Sequence, residues 1–280
     1  MKSGLTKKKG IFLAVWILVI VLILAGIIML CPPEAKHESI QEAMLDSVLH
    51  ESNKLEFFGL KVNPAVISAY IVTAVLLLIA AAIRIFAIPK FKTVPGKFQC
   101  AIEKIVELFS GMAEKNSPHK PKFVGAYIFS AGVYIFASTL FELFGVQWLT
   151  THGASISLPA PISDINAAIA MGVMSYTIIL GGGIRFRGVK GGLSVLKDFS
   201  LPISMSFRLF GALLSGLLVT ELVYYYVSLS FVLPVIVGVL FTLLHAIIQT
   251  YVLATLVSIF YGEAVEPKPK KIKNKKKKVK

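Results

Sequence analysis

Three side chains able to carry charge or hydrogen bonds stand inside long apolar runs of this chain. Arg208 lies in the run 201–229, and His245 and Gln249 lie in the next one. His245 and Gln249 are four residues apart, so on a helix they share a face, with about 6 Å of rise between them. Ionisable residues within a membrane span are costly and by default mark function. Because histidine titrates near neutral pH, this spacing is typical of a polar track for protons or water.

Two carboxylates extend the set. Glu221 follows Arg208 by thirteen residues, about 20 Å along a helix, and Glu142 lies in an earlier run. Both positions are also compatible with a glutamate at the membrane edge. For Glu221 this is favoured by the tyrosines that follow it, which are typical of an interfacial belt. Arg208 could likewise extend to lipid headgroups, as we assume for Arg84 near the end of its run. A buried histidine can also be purely structural.

The elements that position these residues are predicted from hydropathy. The chain is 56% hydrophobic, and apolar runs of about 18 or more residues predict membrane-spanning helices. We therefore predict an all-α polytopic membrane protein, with a helical hairpin formed by the last two spans. Periodicity over 97–115 predicts an amphipathic helix in the membrane interface. The six predicted spans cover about 11–30, 64–88, 123–149, 166–180, 201–229 and 235–261.

These spans divide the chain into four predicted parts. Residues 1–31 form an N-terminal signal anchor, favoured over a cleaved signal peptide because the run is long and no small-x-small site follows. Residues 32–63 form an external polar segment, 64–266 the main membrane domain, and 267–280 a lysine-rich tail. Cys31 and Cys100 then lie on opposite sides of the membrane, which argues against a disulfide between them.

The charge distribution sets the orientation. The net charge is +14, and nine lysines lie in the tail after Glu266. The basic segments 1–10, 90–122, 185–197 and 268–280 all fall on one side of a six-span chain. The positive-inside rule places that side, with both termini, in the cytoplasm, and we expect a bacterial plasma membrane. The same distribution favours contacts with membrane lipids over nucleic acid.

Other motifs exclude several function classes. The glycine-rich stretch 181–198 matches neither phosphate-binding pattern, so we interpret it as a flexible cytoplasmic turn. The chain contains no H-E-x-x-H, no G-x-S-x-G and no clustered metal ligands. We therefore expect no metal, no cofactor and no catalysis by the chain alone.

Four segments, in this order, are similar to motifs of one family. They are V-P-G-K at 94–97, P-I-S-D-I-N at 161–166, P-I-S-M-S-F-R-L-F-G at 202–211 and L-H-A-I-I-Q-T-Y-V-L at 244–253. The chain resembles subunit a of F-type ATP synthases over roughly 60–266. It departs from the usual pattern at Ala212, Leu217, Thr242 and Glu142. Glu221 and His245 each lie one turn from an altered position and are candidate replacements.

The resemblance implies a stator subunit with two half-channels that lead protons or sodium ions to and from a c-subunit ring. Arg208 would separate the half-channels, with Gln249 as its neighbour across the hairpin. Glu221, His245 and Glu142 would line the external half-channel, with Asp164 and Asn166 near its mouth. Further implied partners are the peripheral stalk b subunits and, indirectly, the F1 sector.

An ion-coupled secondary transporter is the alternative. Such transporters often show two repeated halves, and we see no internal repeat. A purely structural membrane anchor would leave Arg208 unexplained.

Overall fold

The computed structural model describes residues 15, 17–18, 55–57, 60–149, 155–225 and 233–266. Six long α-helices lie in this part of the chain, together with two hairpins of three-residue strands. The helices are α1 (Pro64–Ala82), α2 (Lys97–Asn116), α3 (Pro121–Phe141), α4 (Ile165–Leu196), α5 (Ser200–Tyr225) and α6 (Leu233–Val265). The strands are β1 (Leu55–Phe57), β2 (Leu60–Val62), β3 (Gln147–Leu149) and β4 (Ser155–Ser157).

Five helical stretches of the described chain are long and apolar enough to cross a bilayer. They are Pro64–Lys90, Pro121–Phe144, Ile165–Leu196, Ser200–Val219 and Val235–Val265. This confirms a polytopic helical membrane protein. The predicted first span, 11–30, lies outside the described residues except for Val15, Ile17 and Leu18, which are helical. A count of six spans therefore stays a prediction.

Side-chain caps and prolines fix where the helices begin. The Asn63 side chain accepts a hydrogen bond from the Ala65 amide at 3.0 Å, and Pro64 is the first residue of α1. Proline suits that position because its missing N–H would have no helical partner. Asp164 caps α4 in the same way.

The third predicted span ends earlier than expected. A 3-10 turn follows α3 at Glu142–Phe144, and Gly145 then adopts a left-handed conformation with φ 54°, which ends the helix. The next residues form β3, whose Trp148 pairs with Ile156 of β4. The prediction that this span reaches residue 149 was wrong, because Val146, Trp148 and Leu149 prolong the apolar run in sequence while the backbone has left the helix.

The prediction of a flexible turn over 181–198 was also wrong. Residues 181–196 are helical and belong to α4, with a kink at Gly188, whose φ is 64°. The Tyr176 hydroxyl donates to the carbonyl of Val195 at 3.2 Å. Nineteen residues of straight helix would span about 28 Å, so the chain folds back at Gly188. Gly183 and Gly191 let the two limbs approach closely, since a Cβ on Gly191 would lie 2.3 Å from the Gly183 oxygen.

The core of the membrane domain is formed by residues of α2 to α6. Phe109 and Ala113 anchor α2 in it, and Gly132 of α3 admits the Phe109 ring, because a Cβ at Gly132 would lie 2.6 Å from that ring. A helix thus follows V-P-G-K as predicted, while its location in the membrane interface stays a prediction. A second cluster joins Val72 of α1 with Phe141 and Leu158.

The contacts divide the chain into two compact units. One contains residues 1–49 and 217–238, and most of it lies outside the described residues. The other contains residues 50–216 and 239–280. Of the candidate site residues, all but Glu221 lie in this second unit.

Candidate functional site

Arg208 lies on the outward face of α5. Met205, Leu209 and Leu213 of the same helix are buried in the core. The opposite face of α5 is exposed and carries small or polar residues around the arginine. These are Ser204, Arg208, Gly211 and Ser215, flanked by the apolar Ile203 and Phe207. The guanidinium of Arg208 is therefore presented outward from an apolar helix.

Close packing against α4 sets this rotation of α5. Ser206 is buried, and its hydroxyl donates to the Pro202 carbonyl at 2.7 Å. Gly172 of α4 lies directly opposite, because a Cβ built on it would be 2.2 Å from the Ser206 Oγ. With Ser206 held against Gly172, Arg208 two positions later points away from the core, as helical periodicity requires.

Gln249 ties α6 to α5 at the arginine. Its side chain is buried, and its Nε2 donates to the backbone carbonyl of Arg208 at 3.2 Å. The guanidinium itself has neither a hydrogen bond nor an ion pair within the described part of the chain. Gln249 therefore fixes the backbone at this position and leaves the charged group available to a partner outside the chain.

His245 lies one turn before Gln249 and faces α5 near Gly216. Its Nδ1 is 2.8 Å from the Phe241 carbonyl oxygen, and the two rings stack with centroids 5.8 Å apart. A carbonyl can only accept, so Nδ1 carries the proton and donates. In the neutral ring Nε2 is then left as an acceptor.

Glu142 begins the 3-10 turn that follows α3. It is half-buried, and its carboxylate has no hydrogen-bond partner among residues 60–149, 155–225 and 233–266. One turn earlier the hydroxyl of Ser138 is buried, also without a partner in the described chain. Ser138 was missed in the sequence analysis, although its spacing of four from Glu142 was a usable signal.

Asp164 and Asn166 are placed by the start of α4. Asp164 Oδ1 accepts from the Asn166 amide and Oδ2 accepts from the Asn63 side chain, both at 2.8 Å. The carboxylate thus joins the caps of α1 and α4. Asn166 is exposed in the first turn. Glu221 lies in α5, but its side chain is outside the described residues.

The described chain brings only part of the predicted set together. Arg208 and Gln249 are in direct contact, and His245 lies nearby on the same pair of helices. Among the described residues, no hydrogen bond or ion pair joins Glu142 or Asp164 to that group. The exposed face of α6 beside it is apolar, formed by Val239, Leu240, Leu243, Leu244, Ile247, Ile248 and Tyr251.

A comparison with protein families supports the resemblance. Residues 66–262, more than half of the chain, match the family model described as ATP synthase A chain. The matched region contains every candidate site residue, Glu221 included. The predicted first span and the lysine tail lie outside it.

Proposed function

This chain belongs to the ATP synthase A chain family, and we propose that it is the stator subunit that passes ions to and from the ring of c subunits. The family assembles with that ring in the ATP synthase complex. The match does not favour a secondary transporter. The finer proposal concerns how Arg208 and its neighbours perform this work.

One observation carries the proposal: the guanidinium of Arg208 is exposed in an apolar span and has no partner in the described chain. An arginine in a bilayer is normally paired or hydrated. The surrounding face of small and polar residues admits another helix closely. A ring of helices, each with a carboxylate at mid-membrane depth, would supply the missing partner.

The charge on Arg208 explains how ion flow would be forced into rotation. Arginine cannot be deprotonated in proteins, so its positive charge is permanent. That charge favours the ionised form of a facing carboxylate, so a ring site must release its ion before it passes. Ions therefore cannot cross directly between the two half-channels, and rotation is the only productive path. Lysine would serve less well, because a desolvated ammonium can lose its proton.

The other site residues receive roles that follow their geometry. Gln249 holds the α5 backbone at Arg208, and His245 offers for proton transfer an Nε2 that has no hydrogen bond to the described residues. Glu142 and Glu221 are carboxylates of the external half-channel, with Asn166 near its mouth. Asp164, which we expected there as well, is occupied as a helix cap, so we assign it the positioning of α1 and α4.

The surroundings follow from the family and the charge distribution. We propose that the peripheral stalk b subunits hold this chain against the ring and connect it indirectly to the F1 sector, where catalysis takes place. The chain is not an enzyme by itself. Its positive segments and tail face the cytoplasm of a bacterial plasma membrane.

The test is ATP synthesis by the complete complex in vesicles with an imposed ion gradient. Arg208→Ala should abolish coupled synthesis. The matched control is Arg84→Ala, which removes an exposed arginine from the end of another span and should retain most activity. Synthesis in the Arg208 variant at the control level would refute the proposal. Running the assay with and without sodium identifies the coupling ion.

A further inference from the structure

A second feature of the membrane domain lies away from Arg208. A cavity of about 590 Å³ opens between α3, α4 and α6, lined mainly by apolar atoms. Its volume falls in the range of about 300–1,000 Å³ typical of small-ligand sites. Its lining includes Phe123, Thr177, Gly181, Arg185, Phe186 and Tyr261. None of these residues belongs to the ion path proposed above.

The cavity runs along one face of α4 and ends at a positive charge. Thr177, Gly181 and Arg185 are spaced by four residues, so they lie one above another on the helix. Arg185 is about 30 Å from the start of α4 at Ile165, which puts it at the opposite membrane surface. The cavity therefore leads from the apolar interior to a cationic group at the headgroup level.

A second cation reinforces this rim. The Nζ of Lys120 lies 5.1 Å from the centroid of the Phe186 ring, within cation–π range. No acidic residue is among the described residues that line the cavity. A ligand here meets positive charge at one end and apolar surface along the rest.

The cavity is open on one side and closed on the other. A Cβ added to Gly181 would meet no atom within 4 Å. The Tyr261 side chain is fully buried on the other side, and its hydroxyl has no hydrogen-bond partner in the described chain. The open side at Gly181 therefore leaves room for an acyl chain, and the Tyr261 side chain closes the other side.

We propose that this cavity binds one anionic phospholipid, with its phosphate at Arg185 and Lys120 and an acyl chain along Gly181. Basic pockets between membrane helices on the cytoplasmic side are suited to such headgroups. The cavity is too small for a partner helix. A helix is about 10–12 Å across, so this volume would hold only roughly one turn of it. The proposal rests on the membrane location of the chain and not on the ion path.

The test measures lipid binding to the purified full chain in neutral detergent by native mass spectrometry. Phosphatidylglycerol and phosphatidylcholine with identical acyl chains are compared, with glycerol phosphate as the headgroup alone. We expect selective binding of phosphatidylglycerol and none of glycerol phosphate. Arg185→Gln should weaken that binding roughly tenfold, as the loss of a charge-assisted hydrogen bond implies.

Matched variants separate this site from general attraction to a basic protein. Lys190→Gln removes the same charge from an exposed position of α4 outside the cavity and should bind as the wild type does. Gly181→Leu should fill the cavity and abolish selectivity, while Gly111→Leu adds the same side chain at another open glycine and should not. Size-exclusion profiles identify any variant that fails to fold.

Three results would overturn the proposal. Equal losses in Arg185→Gln and Lys190→Gln would mean non-specific attraction. Unchanged selectivity in well-folded Gly181→Leu would place the lipid elsewhere. Binding of glycerol phosphate as tightly as of the lipid would show that the acyl chain contributes nothing.

Discussion

At the scale of single residues, the decisive contrast is between Arg208 and Asp164. Both are ionisable, and both stand in motifs that drew attention in the sequence. The carboxylate of Asp164 accepts two hydrogen bonds from its own fold, whereas the guanidinium of Arg208 has no partner within the described chain. A charged group already satisfied inside the fold serves structure, and one left unsatisfied in an apolar span requires an external partner.

Asp164 gives a prediction that separates these roles. Asparagine can also cap a helix, so Asp164→Asn should keep the α4 cap and ATP synthesis. It should lose only the hydrogen bond from Asn63, whose Nδ2 would then face a second amide donor. Asp164→Ala removes the cap and should destabilise the chain by about 0.5–2 kcal/mol. Thermal unfolding of the purified chain and ATP synthesis by the complex measure the two effects. Loss of synthesis in a stable Asp164→Asn variant would return the carboxylate to the ion path.

Glu221 gives a second prediction at this scale. If it replaces the carboxylate missing at Leu217, Glu221→Gln should lower ion-driven ATP synthesis, but by less than Arg208→Ala does. The reason is that an amide side chain can still hydrogen-bond to water in the half-channel but cannot take up and release a proton. The measurement is ion flux and synthesis in reconstituted vesicles. Wild-type flux in this variant would show that the side chain is not on the path.

At the scale of elements, close helix contacts decide which way the functional side chains point. Helix α5 has apolar residues on much of its surface, so hydropathy alone does not fix its rotation. The contact of Gly172 with Ser206 fixes it and presents Arg208 outward. Gln249 then fixes the partner helix at the same level.

This packing predicts a stability difference between two glycines. In Gly172→Ala the new Cβ would lie 2.2 Å from the Ser206 Oγ and 2.8 Å from the Pro202 carbonyl. Such overpacking typically costs about 1–3 kcal/mol. Gly111→Ala, at an open helical position, should be neutral or stabilising by up to about 1 kcal/mol. Thermal unfolding compares them, and equal stabilities would mean that α5 is not seated on Gly172.

The elements also show what the sequence could and could not predict. Length and hydropathy were sufficient to predict helices at 64–88 and from residue 201 onward, where the structure describes helix as far as Tyr225, because a span needs about 20 apolar residues. They failed at 145–149 and 181–198. In the first case Val146, Trp148 and Leu149 prolong an apolar run that no longer forms a helix. In the second case a glycine-rich segment forms a tight helical hairpin rather than a loop. Both outcomes depend on contacts distant in sequence.

Site residues were predictable where an ionisable or strongly polar side chain stands in an otherwise apolar run. The sequence alone therefore identifies Arg208, His245 and Gln249 as candidates. Ser138 does not stand out in this way, since serines are common in membrane helices. It is notable only because its hydroxyl is buried without a partner among the described residues. The role of Asp164 could not be predicted either, because it depends on Asn63, which lies 101 residues away.

At the scale of the whole molecule, the described membrane domain has two different outward surfaces. Near Arg208, α5 exposes small and polar residues, while the adjacent face of α6 is apolar. The positive charges lie instead in the connections and the tail. A protein surrounded only by lipid would have no use for the first surface, which therefore indicates a close protein partner.

The most direct test of the account is a map of the assembled complex that resolves the surroundings of Arg208. We predict that the guanidinium faces a ring carboxylate and comes within about 4–6 Å of it as the ring turns, the range over which opposite charges favour ionisation. A map that shows Arg208 among lipid headgroups or in bulk water, with no ring carboxylate at its level, would contradict the account.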